Sequence, residues 1–277
     1  MAQLMRDNAM NRYDQFEQLL ITVEERIATI TLNRPEVLNA INVELHGELE
    51  RIWGVIDGDP DVDAVVVTGA GRAFSSGGDI KRMVARAGTA EGLQHALNIP
   101  AATRRIVHGL LDMQQPVVAA VNGDVTGLGA TIALLCDAVV IADTARIGDT
   151  HVLAGLVAGD GGAVIWPLLI GPQKAKEFLM TGRLIDGVEA ERIGLANRVV
   201  PADQVVAQAH DMARRFTRNP KWAVRWTKQS INKWVRSQVN EILDAGLGYE
   251  VATLFTGDHK EAVTAFAEKR KPNFTGR

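Results

Sequence analysis

Residues 148 to 162 read GDTHVLAGLVAGDGG. One histidine, His151, and one aspartate, Asp160, stand nine residues apart among glycines and small apolar side chains. A histidine titrates near neutral pH and can act as a general base, while an aspartate can fix its tautomer and stabilise the imidazolium. The pair is therefore a candidate acid–base unit. The plainer alternatives are a core or loop histidine at 151 and an Asp-Gly turn at 160. Asp149 reads as a turn or cap residue, and Cys136, in ALLCDAVV, as a buried, inert thiol.

Two further stretches could aim backbone groups at a ligand. RAFSSGGDIK (72–81) and VNGDVTGLGATIAL (121–134) share one design: an apolar strand, a glycine turn, then a helix start. Glycines let N–H groups approach a ligand, and a helix N-terminus adds partial positive charge. Two such turns can point two N–H groups at one oxygen, which is an oxyanion hole. A phosphate site or a plain tight turn has the same pattern, but neither stretch is a Walker loop or a dinucleotide GxGxxG in its strand context. No Cys/His cluster has metal-ligand spacing, so no metal is expected. Ser75 and Ser76 lack the surroundings of a nucleophile elbow.

Elements must place these groups. LLITVEERIATITLNRP alternates like a hairpin centred on Glu24-Glu25. Asn42 caps a helix whose apolar stripe is Leu45, Leu49, Ile52, Trp53 and Ile56. AVVVTG (64–69), PVVAAVNG (116–123) and DAVVIAD (137–143) read as buried strands, with helices after Asp79, around 101–113 and in GATIALLCD. Strand, glycine turn, helix, repeated, is an α/β signature. Beyond Pro201 residues 202–217, 221–238, 240–255 and 258–269 read as helices, and Trp222, Trp226 and Trp234 as a packing stripe. Arg225 and Lys228 read as exposed helix charge, with contact to an anionic ligand as the sharper alternative. Residues 1 to 16 look loosely ordered. The formal net charge of -3 gives no reason to expect nucleic acid, although Asp211 to Arg277 holds 13 basic against 7 acidic side chains, a mild hint of an anionic ligand. The polar N-terminus and the lack of a long apolar run predict a cytoplasmic protein with no membrane span.

NRPEVLNAIN (33–42), TGAGRAFSSGGDIK (68–81), PVVAAVNGDVTGLGATIALLCD (116–137), LLIGPQKAKEFLMTGRLIDGVEAERIGLANRVV (168–200) and AVTAFAEKRKPNF (262–274) together resemble the crotonase family, the enoyl-CoA hydratase/isomerase superfamily. The resemblance implies an α/β fold: a crotonase-like ββα superhelix core over 1–200 carrying the active site. It implies a helical C-terminal part over 201–277 for trimerisation and CoA contact. It implies homotrimers or dimers of trimers, and acyl-CoA thioester substrates, with coenzyme A as part of the substrate and no other cofactor. The oxyanion donors map to the N–H groups of Gly78 and Leu128. The CoA moiety maps near Val37, Ser76, Asp79 and Ile80, with Lys269 reaching a CoA phosphate.

The departures bear on the chemistry. Family hydratases carry two glutamates, and these positions are Thr131 and His151 here. Thr131 then reads as a pocket-lining or capping hydroxyl. The segment around His151 resembles that of oxocamphor hydrolase, a family member that cleaves a cyclic β-diketone, where a His and an Asp also stand nine apart. The expectation is an acyl-CoA-dependent, enoyl-CoA hydratase/isomerase-like lyase whose His151–Asp160 pair replaces the glutamates. The alternatives are a C–C bond hydrolase acting without CoA and a non-catalytic acyl-CoA-binding relative.

Overall fold

A computed structural model describes residues 12–86 and 88–277. The chain begins with the hairpin β1 (Leu19–Glu24) and β2 (Ile27–Leu32), in which Glu24 pairs with Ile27. The turn is thus Glu25-Arg26, one residue later than the charge pattern suggests. Both residues take positive φ, 49° and 63°, the twist that a two-residue hairpin turn requires.

Three units then repeat one plan. Each gives a strand to a large sheet, a short strand to a small sheet, and then a helix. The first is β3 (Ala64–Gly69), β4 (Ala73–Ser75) and α2 (Ile80–Arg86), preceded by α1 (Val43–Asp57). The second follows α3 (Ala90–Asp112): β5 (Val117–Val121), β6 (Asp124–Thr126) and α4 (Leu128–Leu135). The third is β7 (Ala138–Ala142), β8 (Arg146–Gly148), a 3-10 turn at His151–Ala154, and α5 (Gly162–Ile170). With α6 (Pro172–Thr181), β9 (Ile185–Asp186), α7 (Gly187–Ile193) and β10 (Arg198–Val200), the sheets order as β1-β2-β3-β5-β7-β10 and β4-β6-β8-β9. From β2 to β10 the large sheet is parallel, and β3, β5 and β7 are buried throughout, which is why they read as unbroken apolar runs. The three-residue strands β4, β6 and β8 escape a pattern reading because they are too short to show alternation.

Helix limits follow local chemistry. Asn42 Oδ1 accepts from Leu45 N at 2.9 Å, and all five residues of the expected stripe are buried. Helix α3 starts at Ala90 rather than near 101, because Thr89 caps it by accepting from Gly92 N and the helix runs through Pro100. The C-terminal part is α8 (Val205–Thr217), α9 (Lys221–Thr253) and α10 (Gly257–Ala267). The expected break near 239 is absent: Val239 is buried, and no glycine or proline interrupts the helix there.

Other expectations fail for identifiable reasons. Arg225 and Lys228 are buried, not exposed helix charge. Lys228 Nζ sits 2.8 Å from Asp137 Oδ2 and donates to Gln115 O at 2.8 Å, while Arg225 donates to Val62 O at 3.2 Å. The three tryptophans do not pack into this chain's core, since Trp222, Trp226 and Trp234 are 54, 63 and 58% exposed. Residues 1–11 lie outside the described residues, but 12–16 are ordered by Phe16, which is buried, and by Tyr13, whose hydroxyl donates to Asp59 at 2.7 Å. Among the described residues no helix is long and apolar enough to cross a membrane.

Asn39 explains why NRPEVLNAIN belongs with the first glycine turn. It is fully buried with φ 54°. Its amide donates to Ala70 O at 2.9 Å and Ala73 O at 2.8 Å, and its Oδ1 accepts from Arg34 N at 2.8 Å. Its own carbonyl accepts from Ser75 Oγ at 2.8 Å. Asn39→Ala deletes three side-chain hydrogen bonds and places a Cβ residue with no local polar compensation at positive φ. We expect a loss of about 3 kcal/mol, read as a lower urea midpoint at unchanged slope.

Candidate active site

Strand β4 delivers the first turn. Gly77 N donates to Ser75 Oγ at 3.2 Å, and Ile41 N donates to Gly77 O at 2.7 Å, which holds the turn against the Asn39 segment. Strand β6 delivers the second. Gly127 has φ 55°, and a Cβ there would lie 3.5 Å from His151 Cε1 and 3.6 Å from Gly77 Cα. The backbone at 127, φ 55° with ψ -134°, is one that glycine alone takes readily, whereas a Cβ there would make only ordinary contacts. Leu128 opens α4, so its N–H has no partner within the helix. Gly78, Leu128, His151 and Asp160 share one cavity of about 530 Å³.

His151 stands at the start of the 3-10 turn after β8. Its Nδ1 lies 2.7 Å from Asp149 Oδ1, which also accepts the His151 N–H at 3.1 Å. Its Nε2 lies 3.3 Å from Asp160 Oδ2. Burial alone would lower the His151 pKa, but the flanking carboxylates of Asp149 and Asp160 outweigh it and raise the pKa well above the usual histidine range. Burial likewise opposes ionisation of Asp160. His151 overrides it, helped by hydrogen bonds from Thr131 Oγ1 at 2.9 Å and the Gly162 N–H, and the Asp160 pKa is lowered. The directions favour a protonated His151 beside an ionised Asp160. Asp149, His151 and Asp160 also bring ligand atoms within 4.8 Å of one another, close enough for a metal. A metal needs a ring lone pair, yet both ring nitrogens face carboxylates, which is the arrangement of a proton carrier.

The structure therefore brings His151 and Asp160 together and corrects the reading of Asp149. It is no mere turn residue: it is buried and holds Nδ1, so Asp160 is left to Nε2. Thr131 is fully buried behind Asp160 and is absent from the cavity wall, so it supports the acid and does not line the pocket. Asp79 lies on the wall, whereas Val37 and Ile80 are half-buried outside it and Ser76 is exposed, its N–H donating to Leu38 O at 2.9 Å. Lys269 is exposed beyond α10, away from the cavity. The wall also extends past residue 200, with Glu250 from α9, Leu254 and Phe255 from the turn after it, and His259 from α10. Sequence reasoning missed Glu250, because one acid on a long polar helix carries no spacing signal. Burial pushes its carboxyl up to about 8, with His151 opposing and Asp160 and Asp149 adding to the rise.

A repeated ββα stack with a helical C-terminal part is a crotonase-type fold. The chain belongs to the enoyl-CoA hydratase/isomerase family: the family model of that description matches residues 22–277. It is similar to the "Probable enoyl-CoA hydratase echA8" of Mycobacterium bovis, 36% identical over 266 residues that cover 95% of this chain and 99% of that one. It is similar also to the short-chain-enoyl-CoA hydratase of Clostridium acetobutylicum, 34% identical with 93% and 97% covered. Among solved structures, an enoyl-CoA hydratase/isomerase from Mycobacterium paratuberculosis superposes with a TM-score of 0.86 at 39% identity, covering 91% of this chain and 99% of that one.

The raised histidine gives a signed expectation. The folded pKa of His151 lies above its unfolded value, so its contribution to stability is complete below the ordinary histidine range and is lost as pH rises through the raised folded value. Asp149→Asn removes one of the two charges responsible and should bring the titration of His151 down toward the ordinary value. Ring nitrogen chemical shifts followed between about pH 5 and 10 check the titration, and urea unfolding of wild type and Asp149→Asn over the same range checks the stability.

Proposed function

We propose that this protein is an acyl-CoA lyase of the hydratase type, in which His151 and Asp160, oriented by Asp149, replace the glutamates of the family. The observation that carries this reading is the imidazole held between Asp149 and Asp160 on the cavity wall, beside the two glycine turns. The N–H groups of Gly78 and Leu128 receive the thioester oxygen. Water adds its oxygen to the β-carbon and its proton passes to the Asp160 carboxylate. The displaced electron pair moves toward the thioester oxygen, where the two N–H groups stabilise the enolate. The Nε2 proton of His151 goes to the α-carbon, and the proton on Asp160 then returns to Nε2. Because His151 rests protonated, it enters as the acid and Asp160 as the base, the reverse of the roles that an isolated pair would suggest. Leu128 in place of a smaller residue narrows the space beside the thioester.

Hydration of crotonyl-CoA, followed by loss of its conjugated thioester absorbance, tests the reading. His151→Ala and Asp160→Asn should each lower kcat by about 10²–10⁴-fold. An unchanged rate in His151→Ala would overturn it. A wild-type protein inert toward enoyl-CoAs that cleaves a cyclic β-diketone would favour the C–C hydrolase instead.

The reading extends to assembly, with the C-terminal helices as the contact and CoA bound near the subunit boundary. Support comes from the exposed Trp222, Trp226 and Trp234, a larger aromatic surface than a monomer ordinarily leaves in water. Sedimentation should give the mass of three or six chains, and Trp226→Glu combined with Trp234→Glu should shift it toward one.

A further inference from the structure

Glu250 plays no part in the proton transfers above, and its surroundings ask for a partner. Helix α9 reaches the cavity through one close approach: a Cβ on Gly246 would lie 3.2 Å from Gly159 O, and a Cβ on Gly159 would overlap Gly246 backbone. A side chain at 159 has no room there and one at 246 would be tight, and the contact sets Glu250, one turn further along, into the cavity wall. The side chain is 7% exposed and its Oε2 has no hydrogen-bond partner among the described residues. Its neighbours on the wall include Leu156, Leu254 and Phe255.

The titratable groups nearby do not satisfy it. Both nitrogens of His151 face Asp149 and Asp160. Thr131 and the Gly162 N–H serve Asp160. From α10, His259 places Nδ1 2.8 Å from Ala154 O, and burial lowers its pKa, so it is neutral. Arg82, Arg105 and Glu50 stand on walls formed by other helices and pair with exposed partners or with one another. With its carboxyl pushed up to about 8, Glu250 holds a proton at neutral pH and is a hydrogen-bond donor facing the ligand space. A plain hydrocarbon chain packed there would bury a polar group without a partner, which disfavours binding.

We propose that Glu250 is a specificity-determining residue that hydrogen-bonds an oxygen of the acyl group, so that the preferred substrates are acyl-CoA thioesters whose chain carries an oxygen beyond the thioester carbonyl. The proposal rests on the acyl-CoA reading and deepens it. A site that hydrogen-bonds a substrate oxygen rejects the analogue that lacks it far more strongly than an apolar pocket discriminates by size.

Calorimetric binding of saturated thioesters, which cannot be hydrated, tests this without turnover. The probes are hexanoyl-CoA and its keto analogues with the oxygen on the third, fourth or fifth carbon. Near pH 6.5 the wild-type protein should bind at least one keto analogue about tenfold or more tighter than hexanoyl-CoA. Glu250→Leu should abolish the preference while binding hexanoyl-CoA at least as well, and that binding also reports that the variant is folded. Glu250→Gln, which keeps a donor, should retain the preference. Raising the pH through about 8 should erase it in the wild type, because a carboxylate cannot donate, but not in Glu250→Gln. Equal affinities in the wild type, or a preference that survives Glu250→Leu, would overturn the proposal and leave the acyl-CoA reading standing. Failure to bind hexanoyl-CoA at all would overturn both.

Discussion

Removing a histidine and two aspartates from water is the constraint on which this site depends. Isolated, each charge would be too costly to bury, and the cluster stands because the charges face one another at hydrogen-bond distance. Asp149 meets Nδ1 and Asp160 meets Nε2, so the ring cannot rotate without losing both. The rest of the fold satisfies Asp160, while Asp149 Oδ2 has no hydrogen-bond partner among the described residues. Thr131, buried on α4, donates to Asp160, and the Gly162 N–H adds a second bond. Gly127 supplies the positive-φ backbone of the second turn that lies beside the ring. The three ββα units converge on this point, one glycine turn from each of the first two and the acid–base segment from the third.

Much of that plan was legible in the residues. The large sheet announced itself through AVVVTG, VVAAV and AVVIA, because strands covered on both faces must be apolar at every position. The small sheet did not, since three residues give no period. The helix start at Asn42 was legible from its cap; the start at Ala90 lay behind a proline that ordinarily marks a boundary. Beyond 200 the count of helices failed, because polar residues around 239 resemble a break while nothing there prevents the helix from continuing.

The site divides in the same way. His151 and Asp160 could be found because they lie in one unusual segment, and their spacing is a property of the sequence. The role of Asp149 could not. Whether an aspartate two residues from a histidine turns toward it depends on the backbone after β8, which closes Asp149 Oδ1 onto both the N–H and the ring of His151. The protonation state was also out of reach: a histidine with one partner titrates differently from one with two. Glu250 is the extreme case, since its meaning comes wholly from the glycine contact that seats its helix.

Helix α9 has one more consequence. At 33 residues it is a rod about 50 Å long. Its inward polar side chains bind it near the N-terminal half: Arg225 to Val62 O, Lys228 to Asp137 and Gln115 O, and Asn232 to Leu111 O. From Lys228 to Glu250 the axis advances about 33 Å, so a tilt of about 1° at the anchored end displaces the carboxyl by about 0.6 Å. That is a sizeable fraction of the tolerance of a hydrogen bond. The Gly246–Gly159 contact, one turn before Glu250, is the second hold that suppresses such a tilt. The aim of Glu250 thus depends on two holds about 27 Å apart along one rod, the buried lysine and the glycine pair.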